Sequence, residues 1–126
     1  MKLTYLSAIL LLASPLVQAN GLDLNLSKAM PAIEKFYLDL HQSPELSYHE
    51  QKTGKKIADR LTQLGFKVTS NVGGFGVVGI YGNGPTVMIR TDTDGLPIIE
   101  QTGKSYASKV KVIDEHGAKV GVMHGC

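Results

Sequence analysis

The sequence predicts an α/β fold with an open mixed sheet, and two observations support this. Two segments carry apolar residues at helical spacing, and three glycine-bounded segments that follow them carry strand-like apolar patterns. The order helix, helix, strand, strand, strand suits an open sheet covered by helices. We find no internal repeat, low-complexity tract or domain linker in the 126 residues.

Residues 1–19 have the pattern of a secretory signal peptide. Lys2 supplies a positive start, residues 3–17 are largely apolar without a charged side chain, and Val17 and Ala19 are small residues at the positions a signal peptidase reads. The apolar run falls short of the roughly 20 residues that cross a bilayer, so we expect no stable membrane anchor. We expect export to the periplasm or the medium, with cleavage near Ala19.

Charge and cysteine content exclude some partners and leave others open. The chain has 13 Lys and Arg against 11 Asp and Glu, with no dense basic run, so we expect no nucleic-acid partner. Cys126 is the only cysteine, so the chain cannot form an internal disulfide. Cys126 would therefore form an intermolecular bond, take part in chemistry, bind a metal or have no specific role.

Two helices are predicted first. A short exposed leader at 20–26 precedes a helix at 28–41, where the apolar residues recur at helical spacing. Ser47 and Glu50 form the pattern of a capping box at the start of the second helix. Gly65 is the expected C-terminal cap of that helix.

Three strands and a polar segment follow. Residues 66–72 alternate as in a half-buried strand, 76–81 form an apolar strand, and the β-branched run at 85–90 predicts a buried central strand. The polar segment 100–119 is expected to be loop with one short extended piece. A further element is expected to begin at 120–124.

Asp92 and Asp94 directly follow the predicted central strand. Ligands of open α/β sheets bind at the carboxyl ends of the strands, and alternate residues of an extended segment point to the same face. Two carboxylates there repel unless a cation, hydrogen-bond donors or a shared proton compensates, which suits the surroundings of a metal. An Asp-rich turn closed by Gly95 and Pro97 explains the pattern equally well.

The sequence His124-Gly125-Cys126 offers two further metal-ligand types. Imidazole nitrogen and cysteine thiolate both bind zinc and related divalent metals. A lone cysteine near a histidine is more often simply buried, so this spacing does not decide the matter. Other polar side chains are expected to be structural: His41, His49, Arg90 and Tyr106.

Several linked motifs together resemble a known family. The stretches HQSPELSYHEQKT, GGFGVVGIYGNGPTVMIRTDTDGLPIIEQTGKSYAS and VMHGC resemble, in this order, the amidohydrolase branch of the di-metal aminoacylase and carboxypeptidase superfamily. That branch includes hippurate hydrolase, auxin-conjugate amidohydrolases and N-acetyl-diaminopimelate deacetylase. The resemblance runs from about Ile33 to the end, which implies that 20–126 is the truncated N-terminal part of a di-metal peptidase-like catalytic domain.

The resemblance also implies residue roles. Cys126 matches the cysteine that ligates the metals, which would be two divalent ions such as Mn, Zn or Ni. Asp92 and Asp94 match an Asp-x-Asp that orients ligands and balances charge, with direct ligation by Asp94 as an alternative. Gly95 and Gly125 stand where family members commonly have alanine. The catalytic glutamate, the other ligands and a dimerisation domain would lie beyond Cys126, so no catalytic residue is expected within the chain itself.

We therefore expect an exported enzyme that hydrolyses the amide bond of small N-acyl amino acids and forms a homodimer through a domain outside this chain. A metal pair would activate water and polarise the carbonyl. The chain alone would be inactive. Two alternatives remain open: a dipeptidase or carboxypeptidase of the same superfamily, and a small exported binding domain whose Cys126 forms an intermolecular disulfide.

Overall fold

The computed structural model describes residues 20–126, and the predicted signal peptide at 1–19 lies outside the described residues. The chain divides into two compact units, Met1–Pro31 and Ala32–Cys126. Of the first unit, the described part is the beginning of one helix. None of the described helices combines the length and the apolar character that a membrane span requires.

The first helix, α1, spans Asn20–Gln42. It confirms the predicted helix at 28–41, but residues 20–26, expected as an exposed leader before it, already belong to the helix. The leader carries leucine at alternate positions, and leucine is a strong helix former.

The second helix, α2, spans Gln51–Gln63 and is not capped as the sequence predicted. Ser47 lies in a turn that ends at Tyr48, whose φ is 62°. Glu50 occupies the N-cap position without a side-chain hydrogen bond to the helix. Glu45 caps the helix from the loop instead, since its Oε2 accepts from the Thr53 backbone N–H at 2.7 Å and from Thr53 Oγ1 at 2.9 Å.

Gly65 ends α2 as predicted. Its φ of 84° is a left-handed conformation that glycine adopts without steric cost. The Gly65 N–H donates to the Thr62 carbonyl at 3.0 Å, and the Phe66 N–H donates to the Leu61 carbonyl at 3.1 Å. These two bonds satisfy carbonyls that the helix end would leave unpaired.

Two predicted strands form an antiparallel hairpin. Strand β1 (Lys67–Val72) pairs with β2 (Gly76–Ile80) in a register that places Lys67 opposite Ile80. Helix α2 packs against both strands. A Cβ atom at Gly79 would lie 3.1 Å from Leu61 Cδ1, so glycine allows the helix to approach the hairpin closely.

The predicted central strand at 85–90 is wrong. These residues have no regular structure, and Val87, Met88 and Ile89 are 85%, 85% and 93% exposed. Apolar β-branched residues alone do not make a strand, because its N–H and C=O groups need a neighbouring strand to bond with. No strand pairs with 85–90 among residues 20–126.

A second small antiparallel sheet consists of β3 (Lys111–Ile113) and β4 (Lys119–Gly121). It confirms the short extended piece expected within 100–119. Val122, which follows β4, is only 1% exposed and is the one buried large apolar residue in the described part of the chain. The described residues are thus helices with two separate antiparallel sheets, an α/β arrangement in which the expected mixed sheet does not form.

Candidate functional site

Two isolated β-bridges bring together the three chain segments that form the candidate site. Gly95 pairs in parallel with Leu46, and Leu96 pairs in antiparallel with Met123. The Leu96 N–H donates to the Met123 carbonyl at 2.7 Å, and the Met123 N–H donates back to the Leu96 carbonyl at 3.1 Å. The residues just before Leu96 therefore lie beside those just after Met123.

This pairing brings the predicted site residues to one cavity of about 300 Å³. Asp92, Asp94 and Cys126, which the sequence singled out, all line it. The other lining residues are Arg90, Thr91 and His124. Their shared location is a feature of the structure, whereas the roles assigned to them stay predictions.

The side chains in the cavity differ in their surroundings. The Cys126 thiol is free and exposed. The exposed Asp92 carboxylate accepts a hydrogen bond from Arg90 Nη2 at 2.7 Å, an ion pair in solvent that contributes little to stability. Asp94 is half-buried, and its backbone carbonyl accepts from His124 Nδ1 at 3.0 Å.

The cavity has the right chemistry for a divalent metal but not a complete ligand set. Carboxylate, imidazole and thiolate are all metal ligands. Within residues 20–126, however, no three His, Cys, Asp or Glu side chains converge closely enough to hold an ion. The described residues therefore do not fit a complete metal site, and no reaction step can be assigned to a metal that they hold.

Gly95 is buried, and its backbone packs closely against residues of two other segments at the site. A Cβ atom there would lie 2.8 Å from Val122 Cγ1 and 3.0 Å from Pro44 Cβ, closer than ordinary van der Waals contact. A Cβ at Gly125 would lie 3.4 Å from Leu96 Cδ1, which is an ordinary contact. Of these two glycines, Gly95 is thus the one whose neighbours would have to shift to admit a side chain.

His41 lies behind the site as a structural residue, as expected. It is 8% exposed, and its Nε2 donates to the Glu100 carboxylate, with both oxygens at 3.1 Å. Its ring packs against Tyr37 at 5.6 Å and Tyr106 at 5.5 Å between centroids. Tyr106 is therefore also structural, whereas His49 is exposed.

Glu100 is the residue that the sequence analysis missed. Its carboxylate accepts from Thr102 Oγ1 at 2.6 Å and from the Ser108 N–H at 2.5 Å, in addition to His41. The hydrogen bond from Thr102, then that from Ser108, lower the pKa of Glu100 from 4.5 to about 2, aided by His41 and opposed by desolvation. No local pattern identifies the pair with His41, because 59 residues separate the two in sequence.

Comparison with known proteins identifies relatives that hydrolyse amide bonds. The chain is 35% identical over 96 residues to hippurate hydrolase of Campylobacter jejuni, covering 74% of this chain and 23% of that protein. It is 44% identical over 91 residues to thermostable carboxypeptidase 2 of Saccharolobus solfataricus, covering 69% and 21%. It is 37% identical over 92 residues to N-acetylcysteine deacetylase of Bacillus subtilis, covering 70% and 22%.

The chain thus spans about a fifth of the length of these curated relatives. No family model matches the sequence, and no solved structure matches it. The relatives confirm the resemblance found in the sequence.

The hydrogen bonds that Glu100 accepts should make the fold less stable in acid, where its carboxylate becomes protonated. A carboxyl group whose pKa is about 2 in the folded chain and near 4.5 in the unfolded chain stabilises the fold above pH 4.5. That contribution is lost as the pH falls from 4.5 towards 2. We expect the urea unfolding free energy of the wild type to fall through this window, and that of Glu100→Gln to fall less steeply.

The exposed substitution Glu115→Gln, in the turn between β3 and β4, controls for the loss of one negative charge. Identical pH slopes for the wild type and Glu100→Gln would contradict the lowered pKa.

Proposed function

We propose that the whole protein hydrolyses the amide bond of small N-acyl amino acids, because this chain is similar to hippurate hydrolase and to N-acetylcysteine deacetylase. One structural observation carries the proposal. Asp92, Asp94 and Cys126 are the residues that match the family's site motifs, and all three line one cavity.

The proposal includes a pair of divalent metal ions, Mn, Zn or Ni. Divalent metals are general in the superfamily of the relatives. When bound, such ions polarise a carbonyl and lower the pKa of a bound water. In this proposal Cys126 supplies a thiolate ligand, and Asp92 and Asp94 orient ligands and balance charge. The remaining ligands and a proton-accepting glutamate come from outside residues 20–126.

The proposed domain is the N-terminal part of a peptidase-like catalytic domain, in a protein that dimerises through another domain. The strand-like segment Val87 to Ile89 supports the first part of this proposal. It is apolar, exposed and unpaired among the described residues, as a strand is when its neighbours lie elsewhere in a larger sheet.

Peptide hydrolysis is the second candidate function. Its support is the 44% identity to thermostable carboxypeptidase 2. The two candidates differ in substrate, since one cleaves an acyl group from an amino acid and the other cleaves between amino acids.

Hydrolysis assays on the full-length protein decide between these functions. With Mn²⁺, Zn²⁺ or Ni²⁺ added, we expect amino acid release from N-acetyl and N-benzoyl amino acids, and slower release from dipeptides. We expect Asp94→Asn to lower the rate about 10- to 100-fold, the usual effect of removing a group that orients metal ligands. Cys126→Ala is expected to lower it further.

The matched control is Asp59→Asn, which removes an exposed carboxylate on α2 that pairs with Lys55 at the surface. No release from any acyl amino acid would refute the proposal. Full activity in Cys126→Ala would refute the assigned site.

We also propose export, with cleavage after Ala19. Its support is the charge, apolar run and small residues of the first 19 positions. Expression in a Gram-negative host should give a periplasmic protein whose N-terminal sequence begins at Asn20. Ala19→Leu should block cleavage because a large residue replaces the small one at the cut. A cytoplasmic product that keeps residues 1–19 would contradict the proposal.

A further inference from the structure

Among the described residues the His124 side chain makes one hydrogen bond, and its geometry shows which ring nitrogen carries a hydrogen. Nδ1 lies 3.0 Å from the Asp94 backbone oxygen. A carbonyl oxygen can only accept, so Nδ1 carries a hydrogen, and in the neutral form of the ring Nε2 is then the nitrogen without one. Nε2 is buried and has no hydrogen-bond partner within residues 20–126.

Within residues 20–126, Nε2 adds no hydrogen bond to the fold. A buried polar atom without a partner costs free energy that an apolar side chain of similar size would not. Among the described residues, what distinguishes histidine here from an apolar side chain is therefore its Nδ1. What it contributes is the hydrogen bond from Nδ1.

That hydrogen bond closes a clamp on the peptide unit between Asp94 and Gly95. The Gly95 N–H donates to the Glu45 carbonyl at 2.7 Å on one side, and the Asp94 C=O accepts from His124 on the other. Gly95 itself is confined between Pro44 and Val122. The peptide plane is thus held from both edges, which fixes the backbone from which the Asp94 side chain projects.

The His124 ring is itself supported. It lies 6.3 Å from the His41 ring between centroids, and His41 is held by the Glu100 carboxylate. The Leu96–Met123 bridge fixes the backbone immediately before His124. Both supports are built from described residues and do not depend on a bound ligand.

We propose that His124 is a positioning residue, which clamps the Asp94–Gly95 peptide and so fixes the Asp94 carboxylate relative to Cys126, two residues beyond it. The geometric claim stands by itself, and its meaning for hydrolysis rests on the proposed function. The clamp extends the pairing of Leu96 with Met123 towards the cavity, where no further backbone bridge joins the two segments.

The tautomer tests the geometry without any activity. The chain has four histidines, so ¹⁵N-histidine-labelled protein gives a spectrum simple enough to assign by comparison with His124→Asn. At pH 8, long-range ¹H–¹⁵N spectra should show His124 protonated at Nδ1 and bare at Nε2. The opposite tautomer would overturn the proposal, because Nδ1 could then not donate to Asp94.

Substitution tests the positioning role. His124→Ala removes the donor, whereas His124→Asn keeps an N–H at the place of Nδ1 and deletes the unpartnered nitrogen. In the full-length protein we expect His124→Ala to lower kcat about tenfold with little change in KM, the scale of one lost hydrogen bond. We expect His124→Asn to recover most of that loss, and its urea midpoint to be no lower than that of His124→Ala.

His116→Ala, at an exposed site in the turn between β3 and β4, is the matched control. Equal losses in His124→Asn and His124→Ala would overturn the clamp. If the wild type hydrolyses no acyl amino acid, the proposed function fails, while the tautomer still decides the geometric claim.

Discussion

The candidate site depends on one close approach, the packing of the Gly95 backbone between Pro44 and Val122. At this point the loop between the helices, the Asp-x-Asp segment and the last residues of the chain all meet. The Gly95 N–H is bonded to Glu45, and the next residue, Leu96, is bonded to Met123. The cavity that holds Asp92, Asp94 and Cys126 exists because these three segments are held together here.

A buried polar network supports this junction from behind. Glu100 collects hydrogen bonds from His41, Thr102 and the Ser108 N–H, and the Ser108 hydroxyl donates to the Val122 carbonyl at 2.7 Å. The end of α1 is thereby connected to the residue that packs on Gly95. Because the Glu100 carboxylate is satisfied by several donors, its charge is compatible with a side chain that is only 1% exposed.

The sequence predicted those elements whose signals are local. The hairpin of β1 and β2 follows from alternating apolar residues around Gly73-Gly74, and the end of α2 follows from Gly65, which can adopt the required positive φ. Asp92, Asp94 and Cys126 were identified by motif resemblance, and the structure places them at one cavity.

The features that the sequence analysis predicted wrongly or missed depend on contacts with other segments of the chain. The run at 85–90 has a strand's composition but finds no strand to pair with among residues 20–126. The capping box at Ser47 has the right spacing, yet Glu45 takes its place because the chain turns at Tyr48 before the helix begins. Glu100 and His41 each look unremarkable in sequence, since their pairing depends on the folded chain.

The most direct test of this account compares Gly95→Ala with Gly125→Ala by urea unfolding. The added methyl at position 95 would meet Val122 and Pro44, so we expect it to lower the unfolding free energy by about 1–3 kcal/mol, the usual cost of overpacking. The methyl at position 125 has room, and the substitution also reduces the freedom of the unfolded chain, so stability should be unchanged or slightly higher. Equal stability of the two variants would contradict the claim that the site is assembled around Gly95.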